Sequence, residues 1–108
     1  MATRSRIGVV LPSGSILSAY HHWDGYPEGL GVKLKKSYTN FEDILNLISG
    51  GDMSKIGEPY SNRGEDCPPR LDCNSFVYTS NSEEYSYLWE DNAWKCFDNW
   101  KEVWLTDF

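Results

Sequence analysis

The segment from residue 20 to residue 27, YHHWDGYP, holds the side chains of this sequence best suited to chemistry. We call it the aromatic corner. A neutral imidazole such as that of His22 can act as a general base, and a carboxylate such as Asp24 can orient its ring. His21 and His22 are neighbours on a predicted strand, so their side chains point to opposite faces of that strand. One histidine at most can reach a given pocket, and a metal site shared by both is not expected.

Catalysis would also need residues that lie elsewhere in the chain. Arg63, with Glu65 or Asp66, could supply an electrophile and a second carboxylate if its loop folds over the aromatic corner. The sequence has no nucleophile elbow, no histidine pair at helical metal-binding spacing and no glycine-rich phosphate loop after a strand. A small hydrolase that uses His22 and Asp24 is therefore an alternative interpretation. We assign no catalytic residue, and the balance is against an enzyme.

A binding site requires less of the sequence than an active site does. The rings of Tyr20, Trp23 and Tyr26 can stack on a planar base, and the Arg63 guanidinium can pair with a phosphate. The alternative for Arg63 is a salt bridge to Glu65 or another loop carboxylate, which is the commoner outcome. No metal and no cofactor are predicted. The predicted ligand-binding residues are Tyr20, His21, His22, Trp23, Asp24, Tyr26, Arg63 and Glu65.

The aromatic corner also has a purely structural interpretation. Gly25 can take a positive φ, and Pro27 keeps Tyr26 out of the helical region, so the two residues together favour a sharp turn. Trp23 and Tyr26 would then fill the space between the sheet and the first helix, and Asp24 would accept backbone hydrogen bonds. This interpretation leaves the two histidines unexplained.

The motif HWDGYP at residues 22–27 is followed by RGED at residues 63–66. Shorter matching pieces are EGLG at 28–31, Tyr38, GDMS at 51–54, Gly57 with Glu58, and YLW at 87–89 with Trp94. With these motifs the chain resembles, over nearly its whole length, a family of small proteins encoded by bacteriophages. The resemblance implies a viral origin, expression inside the infected host and a role in managing a host process such as defence. The partner would be a small nucleotide-like molecule that is sequestered or a host protein that is masked. The resemblance brings no established fold, activity or catalytic residue.

Charge is distributed unevenly along the 108 residues, whose net charge is −6. Residues 1–54 hold five basic and five acidic side chains, whereas residues 55–108 hold five basic and eleven acidic ones. The acidic half should repel nucleic acid, so direct nucleic-acid binding is not expected. A further alternative is an inhibitor that mimics nucleic acid through carboxylates on loops and turns. These carboxylates are Glu65, Asp66, Glu83, Glu84, Glu90 and Asp91.

Cysteine usage and hydropathy indicate the compartment. The three cysteines are an odd number, and Cys67 and Cys73 have five residues between them, which does not match a zinc module. We expect free thiols in a reducing cytoplasm, with a Cys67–Cys73 disulfide only under oxidising conditions. The longest apolar run, at residues 7–11, is too short to span a bilayer, and no cleavage site follows the basic start. The expected location is the host cytoplasm, with no membrane partner.

Local patterns predict the elements that must position the aromatic corner. β-forming residues at 6–11 and 15–23 flank a Pro-Ser-Gly turn and predict a hairpin. Apolar spacing predicts helices at 28–38 and from Asn40 to Gly50, and residues 51–74 are expected to form a long ordered loop. Strands are predicted at 75–79, 85–90, 93–97 and 102–105, with a turn at Asp91 and Asn92.

These elements predict one α+β domain over residues 1–108. The order of strands, then helices, then strands favours an antiparallel β-sheet of about five or six strands with two helices packed on one face. Residues 100–108 place apolar side chains on both faces of a possible strand. That segment is either buried within the domain or forms an interface, so a homodimer is a further possibility.

Overall fold

The computed structural model describes residues 2–106 and residue 108. Within these residues groups of one to three consecutive strands are separated by helices or helical turns. The strands are β1 Ser5–Val10, β2 Ile16–His21, β3 Met53–Lys55, β4 Glu58–Pro59, β5 Arg70–Asp72, β6 Tyr85–Glu90, β7 Ala93–Asp98 and β8 Val103–Trp104. The α-helices are α1 Val32–Ser37, α2 Phe41–Ser49 and α3 Ser75–Tyr78, with a π-helical turn at Pro27–Gly31 and a 3-10 turn at Tyr60–Arg63.

The fold is α+β, as predicted, but the sheet is mixed and has eight strands. Its order is β4-β3-β2-β1-β6-β7-β8, and β5 also pairs with β2. β1 pairs antiparallel with β2 and parallel with β6, and β2 pairs parallel with β3. The prediction of a purely antiparallel sheet of five or six strands was therefore wrong in these two respects. The chain passes through helices before it returns beside β1 and β2, and such long crossovers permit parallel pairing.

The two predicted helices pack on one face of the sheet and bury its main core. Asn40 caps α2, since its side-chain oxygen accepts a hydrogen bond from the Asp43 backbone N–H at 2.9 Å. The first helix begins earlier than predicted, at Pro27, with one π-helical turn before α1. The core contains Ile7, Val9, Ala19, Leu30, Leu34, Ile44, Ile48, Met53, Tyr87, Trp89, Trp94 and Cys96.

The short helix α3 covers part of the other face. Tyr78, which is fully buried, packs against Ile16 and Leu88, and its hydroxyl donates to the Tyr87 carbonyl at 2.6 Å. The predicted strand at 75–79 was wrong, because the Asn74 side chain accepts from the Val77 N–H at 2.9 Å and caps a helix there. This local hydrogen bond overrides the β-propensity of an aromatic and β-branched run.

The segment at 51–74 contains more regular structure than predicted. It includes β3, β4, the 3-10 turn and β5, of which β3 and β5 extend the sheet beside β2. These strands are only two or three residues long, so they carry too little periodicity to be recognised. Cys67 and Cys73, which lie in or near this segment, are free thiols, as is Cys96.

The two predicted hairpins are present. β1 and β2 pair over six residues on each strand, and β6 and β7 pair in the same way. Asp91 and Asn92 both have positive φ values, 54° and 61°, which match the twist of a tight two-residue hairpin turn. Across the described part of the chain, helices are all too short or too polar to cross a bilayer.

Candidate functional site

The aromatic corner leaves the end of β2 and runs beside β3. The backbone N–H groups of His22 and Trp23 donate to the carbonyls of Met53 and Ser54 at 3.2 and 2.9 Å. The chain then turns at Asp24, which takes a φ of 56°. We predicted the positive φ at Gly25, and the structure places it one residue earlier. Asp and Asn tolerate this region better than other non-glycine residues.

Gly25 is required in the turn for a different reason. A Cβ at this position would overlap the Ser5 side chain and the Thr3 carbonyl, to which the Gly25 N–H donates at 2.9 Å. The Gly25 carbonyl in turn accepts a hydrogen bond from the buried Tyr87 hydroxyl at 2.7 Å. These contacts fix the corner against β1 and β6 and so determine the direction of the side chains around it.

Trp23 and Tyr26 do not fill the space between the sheet and the first helix. Their exposed fractions are 46% and 37%, and Leu30 and Tyr87 occupy the core beside the corner instead. Asp24 accepts a backbone hydrogen bond as expected, but through its own carbonyl, from the Leu30 N–H at 3.0 Å; its carboxylate accepts from the Tyr26 hydroxyl at 3.4 Å. The structural interpretation therefore fails for these aromatic side chains, which remain available for contact with a ligand.

His21 is the buried histidine of the corner, with 3% of its surface exposed. Burial, reinforced by the positive charge of Lys33, lowers the pKa of His21 to about 4, although Asp24 opposes the shift. The imidazole is therefore neutral at neutral pH. Its Nδ1 atom is buried and has no hydrogen-bond partner within the described residues. An unpaired buried polar atom costs about 1–3 kcal/mol, and the Ser5 hydroxyl is a second such atom among the described residues.

A cavity of about 190 Å³ opens over His21. We call it the His21 pocket. Its walls come from the aromatic corner, from the first helix and from the turn between β3 and β4. It is lined by His21, Trp23, Asp24, Gly29, Leu30, Lys33, Lys55 and Ile56. The pocket thus combines a neutral imidazole, an exposed indole, a carboxylate and two ammonium groups.

The two lysines of the His21 pocket differ in their surroundings. Lys55 pairs with Glu58 at 3.1 Å, on the exposed turn between β3 and β4. Lys33 has no carboxylate within salt-bridge distance in the part of the chain that the structure describes. Lys33 therefore contributes positive charge to the pocket that no neighbouring group neutralises by direct pairing.

His22 lies on the opposite face from His21. Its Nδ1 atom is 2.6 Å from the Tyr20 hydroxyl, and its ring meets the Trp23 ring edge-on at 4.7 Å between centroids. Burial, followed by the charge of Glu83, raises the pKa of Tyr20, so this hydroxyl keeps its proton. The ring of His22 is therefore oriented by Tyr20, whereas Asp24 was the expected partner.

Arg63 and Glu65 lie away from the His21 pocket. They form a salt bridge with each other at 3.6 Å, and the Arg63 guanidinium stacks on Tyr60 at 4.7 Å from the ring centroid. Neither residue lines the pocket. The predicted ligand-binding residues therefore do not form one site. His21, Trp23 and Asp24 line the pocket, whereas Tyr20 and His22 contact each other on the other face of the sheet. Arg63 forms the salt bridge with Glu65 that was the structural alternative to phosphate binding.

Sequence reasoning missed Lys33, Lys55 and Ile56 as residues of the pocket. Lys33 is one of three closely spaced lysines, with Lys35 and Lys36, and this spacing is typical of the solvent face of a helix; no local pattern singles out Lys55 or Ile56. Groups of three or more histidines, cysteines or carboxylates able to hold a metal ion are absent from residues 2–106 and 108. No protein family, curated protein or solved structure matches this chain.

Proposed function

We propose that this protein binds a small nucleotide-like anion in the His21 pocket. The observation that carries the proposal is that this pocket places the half-exposed indole of Trp23 beside the Lys33 ammonium group, which forms no salt bridge within the described residues.

The walls of the pocket match the parts of a nucleotide. The half-exposed indole of Trp23 offers a surface on which a planar base can stack. The unneutralised ammonium group of Lys33 attracts a phosphate, with Lys55 beside it. The Asp24 carboxylate can accept hydrogen bonds from ribose hydroxyls, a role that acidic residues have in nucleotide sites.

The size of the pocket limits the ligand. A volume of about 190 Å³ lies below the range of roughly 300–1,000 Å³ that is typical of pockets for drug-sized molecules. The pocket therefore encloses one part of a mononucleotide and leaves the remainder at the surface. This geometry suits sequestration by a binding protein, which needs no access for a second reactant.

The biological setting of the proposal comes from the resemblance to bacteriophage proteins. A phage-encoded protein that is present in the host cytoplasm and holds a nucleotide-like signal would lower the free concentration of that signal. Host defence that depends on the signal would then be weakened. This setting is part of our proposal, and the binding chemistry stands independently of it.

Native mass spectrometry of the protein purified from infected bacteria tests the proposal. We expect a small-molecule adduct on the wild-type protein, its loss in Lys33→Met and its retention in Lys36→Met. Lys36 is the matched control, because it is exposed on the same helix and does not line the pocket. A host protein bound without a small molecule, or an adduct that survives Lys33→Met, would argue against sequestration in the pocket.

A hydrolase-type enzyme is the second candidate, and the 2.6 Å contact between Tyr20 and His22 favours it. When His22 donates from Nδ1 to the tyrosine oxygen, its Nε2 is left unprotonated and can act as a base. When the Tyr20 hydroxyl donates to Nδ1 instead, Nε2 carries the proton and cannot act as a base. An intact biological effect in His22→Ala would exclude this candidate without affecting the binding proposal.

A further inference from the structure

A groove of about 630 Å³ runs along the face of the sheet that α3 covers only in part. Tyr78 anchors α3 over β1, β2 and β6, so the same face of β7 and β8 stays open. The apolar walls of the groove are Phe76 from α3, Phe97 from β7 and Trp104 from β8. We call it the α3 groove. It lies on the face opposite the main core and is separate from the His21 pocket.

The aromatic side chains at the α3 groove are exposed to an unusual extent. Phe76 is 80% exposed and Trp104 is 40% exposed. Trp100, which is 90% exposed, lies in the turn between Asn99 and Glu102, and both of these residues line the groove. Large apolar side chains that cluster at one surface mark an interaction site, whereas isolated ones need no explanation.

Four polar side chains that line the α3 groove already hydrogen-bond within the protein: Thr79 and Ser80 donate to carbonyls of α3, and Asn81 and Asn99 bond to each other. The Asn99 amide donates to the Asn81 side-chain oxygen at 2.7 Å, and both asparagines bond to the Ser86 hydroxyl, at 3.0 and 2.8 Å. A site for a small polar molecule needs convergent polar groups that are free to orient it. The groove offers aromatic surface instead, which fits apolar side chains of a protein.

The negative charge around the α3 groove indicates which kind of partner protein would bind there. From residue 75 to the end, the sequence has seven carboxylates and two lysines, so this part carries −5 of the total −6. Glu102 lines the groove itself, and Glu83 and Glu84 lie beside it, because the Glu83 N–H donates to the Asn81 side chain at 2.9 Å and the Glu84 carbonyl accepts from the Asn99 N–H at 3.0 Å. A second copy of the chain or a nucleic acid would bring like charge to this surface, whereas a basic segment would be attracted.

We propose that the α3 groove docks an amphipathic basic segment of a partner protein. Its apolar side chains would insert between Phe76 and Trp104, and its lysines or arginines would face Glu102, Glu83 and Glu84. This mode is the common one in which an amphipathic segment lays its apolar face into a hydrophobic groove. It adds a protein-binding surface that does not depend on the ligand of the His21 pocket.

A pair of synthetic peptides tests this proposal with the full-length, isotope-labelled protein. One is an amphipathic peptide of leucine and lysine, and the other has glutamate in place of every lysine. We expect saturable binding of the lysine peptide, with NMR shift changes confined to the groove and an affinity at least about tenfold above that of the glutamate peptide. Equal binding of both peptides, no saturable binding, or shifts elsewhere would overturn the proposal.

Matched variants locate the binding. Phe76→Ser should weaken binding of the lysine peptide about tenfold. Glu102→Lys should also weaken this binding and should reduce its dependence on salt concentration. Leu71→Ser is the control, because Leu71 is also an exposed apolar side chain but lies on β5, outside the groove. An equal loss in Leu71→Ser would overturn the proposal. So would self-association that Phe76→Ser abolishes, since a second copy would then be the occupant.

Discussion

His21 and His22 are consecutive residues whose rings lie on opposite faces of the sheet. The Nδ1 atom of His21 is buried and has no partner among the described residues, whereas the Nδ1 atom of His22 lies 2.6 Å from the Tyr20 hydroxyl. The alternation of a β-strand produces this separation. The two histidines therefore serve different surfaces, and a substitution at one of them should leave the surroundings of the other unchanged.

The burial of His21 predicts a loss of stability in mild acid. Its pKa falls from the usual 6.5 to about 4 on folding, so between these values the unfolded chain binds a proton that the folded protein does not. Stability therefore decreases as the pH falls from about 6.5 towards 4. From pH 7 to pH 4.5, His21 should account for roughly 2–3 kcal/mol of the lost free energy of unfolding.

Urea denaturation of the wild type and of His21→Gln at both pH values measures this contribution. Carboxylates titrate in both proteins, so their effect cancels in the comparison. We expect the acid-induced loss to be smaller in His21→Gln by about that amount. Equal losses in the two proteins would show that the ring of His21 does not titrate as a buried base.

Gly50 and Gly51 follow α2, and substitution of each by alanine should affect the stability of the protein differently. Gly51 has a φ of 83°, and a Cβ there would overlap the Cys67 carbonyl, so Gly51→Ala should cost about 2 kcal/mol or more. Gly50 has a helical φ of −69°, and a Cβ there would make only an ordinary contact, at 3.4 Å from the Leu47 carbonyl oxygen, so Gly50→Ala should be neutral or stabilising by up to about 1 kcal/mol. The urea concentrations at the midpoint of unfolding compare the stabilities of the two variants. Similar losses of stability in Gly50→Ala and Gly51→Ala would contradict the prediction.

The hairpin between β6 and β7 predicts a stabilising substitution at Asn92. Its φ of 61° lies in the left-handed region, which glycine adopts without strain. Asn92→Gly should raise the thermal midpoint, and Asn92→Ala should lower stability by about 1 kcal/mol. Calorimetric unfolding measures both changes. A lower midpoint for the glycine variant than for the alanine variant would rule out this turn.

The Tyr87 hydroxyl connects β6 to the aromatic corner. Burial raises the pKa of Tyr87, so its hydroxyl stays protonated and donates to the Gly25 carbonyl at 2.7 Å. Tyr87→Phe removes this donor and leaves a buried carbonyl unpaired, which should cost about 1–3 kcal/mol. The backbone amides at residues 24–26 should also exchange faster with solvent. Unchanged exchange at these amides would mean that the hydrogen bond does not hold the corner.

Local signals explain which elements the sequence predicts well. α2 has a capping asparagine, apolar residues at helical spacing and two glycines after its end, and it extends from Phe41 to Ser49 as expected. The β6–β7 hairpin has its turn residues between two alternating strands, and both strands appear at the predicted positions. In each case the determining interactions lie within a few residues of one another.

Interactions between distant residues explain what the sequence does not predict. β3 and β5 become strands because β2 offers them backbone partners, at His21 and at residues 16–18. The His21 pocket likewise depends on Lys33 and Lys55, which approach His21 only through packing of the first helix and of β3. The histidines and aromatic residues of the corner could be recognised as candidates, whereas their lysine neighbours could not.

Calorimetric titration with adenosine monophosphate tests the binding proposal most directly. We predict saturable binding to the wild type, and binding at least about tenfold weaker for adenosine and for inorganic phosphate, because each fills only part of the site. Trp23→Ala and Lys33→Met should each weaken the binding of adenosine monophosphate about tenfold. Their controls, Trp100→Ala and Lys36→Met, should bind as the wild type does. No saturable heat, or equal binding by Lys33→Met and the wild type, would contradict the account.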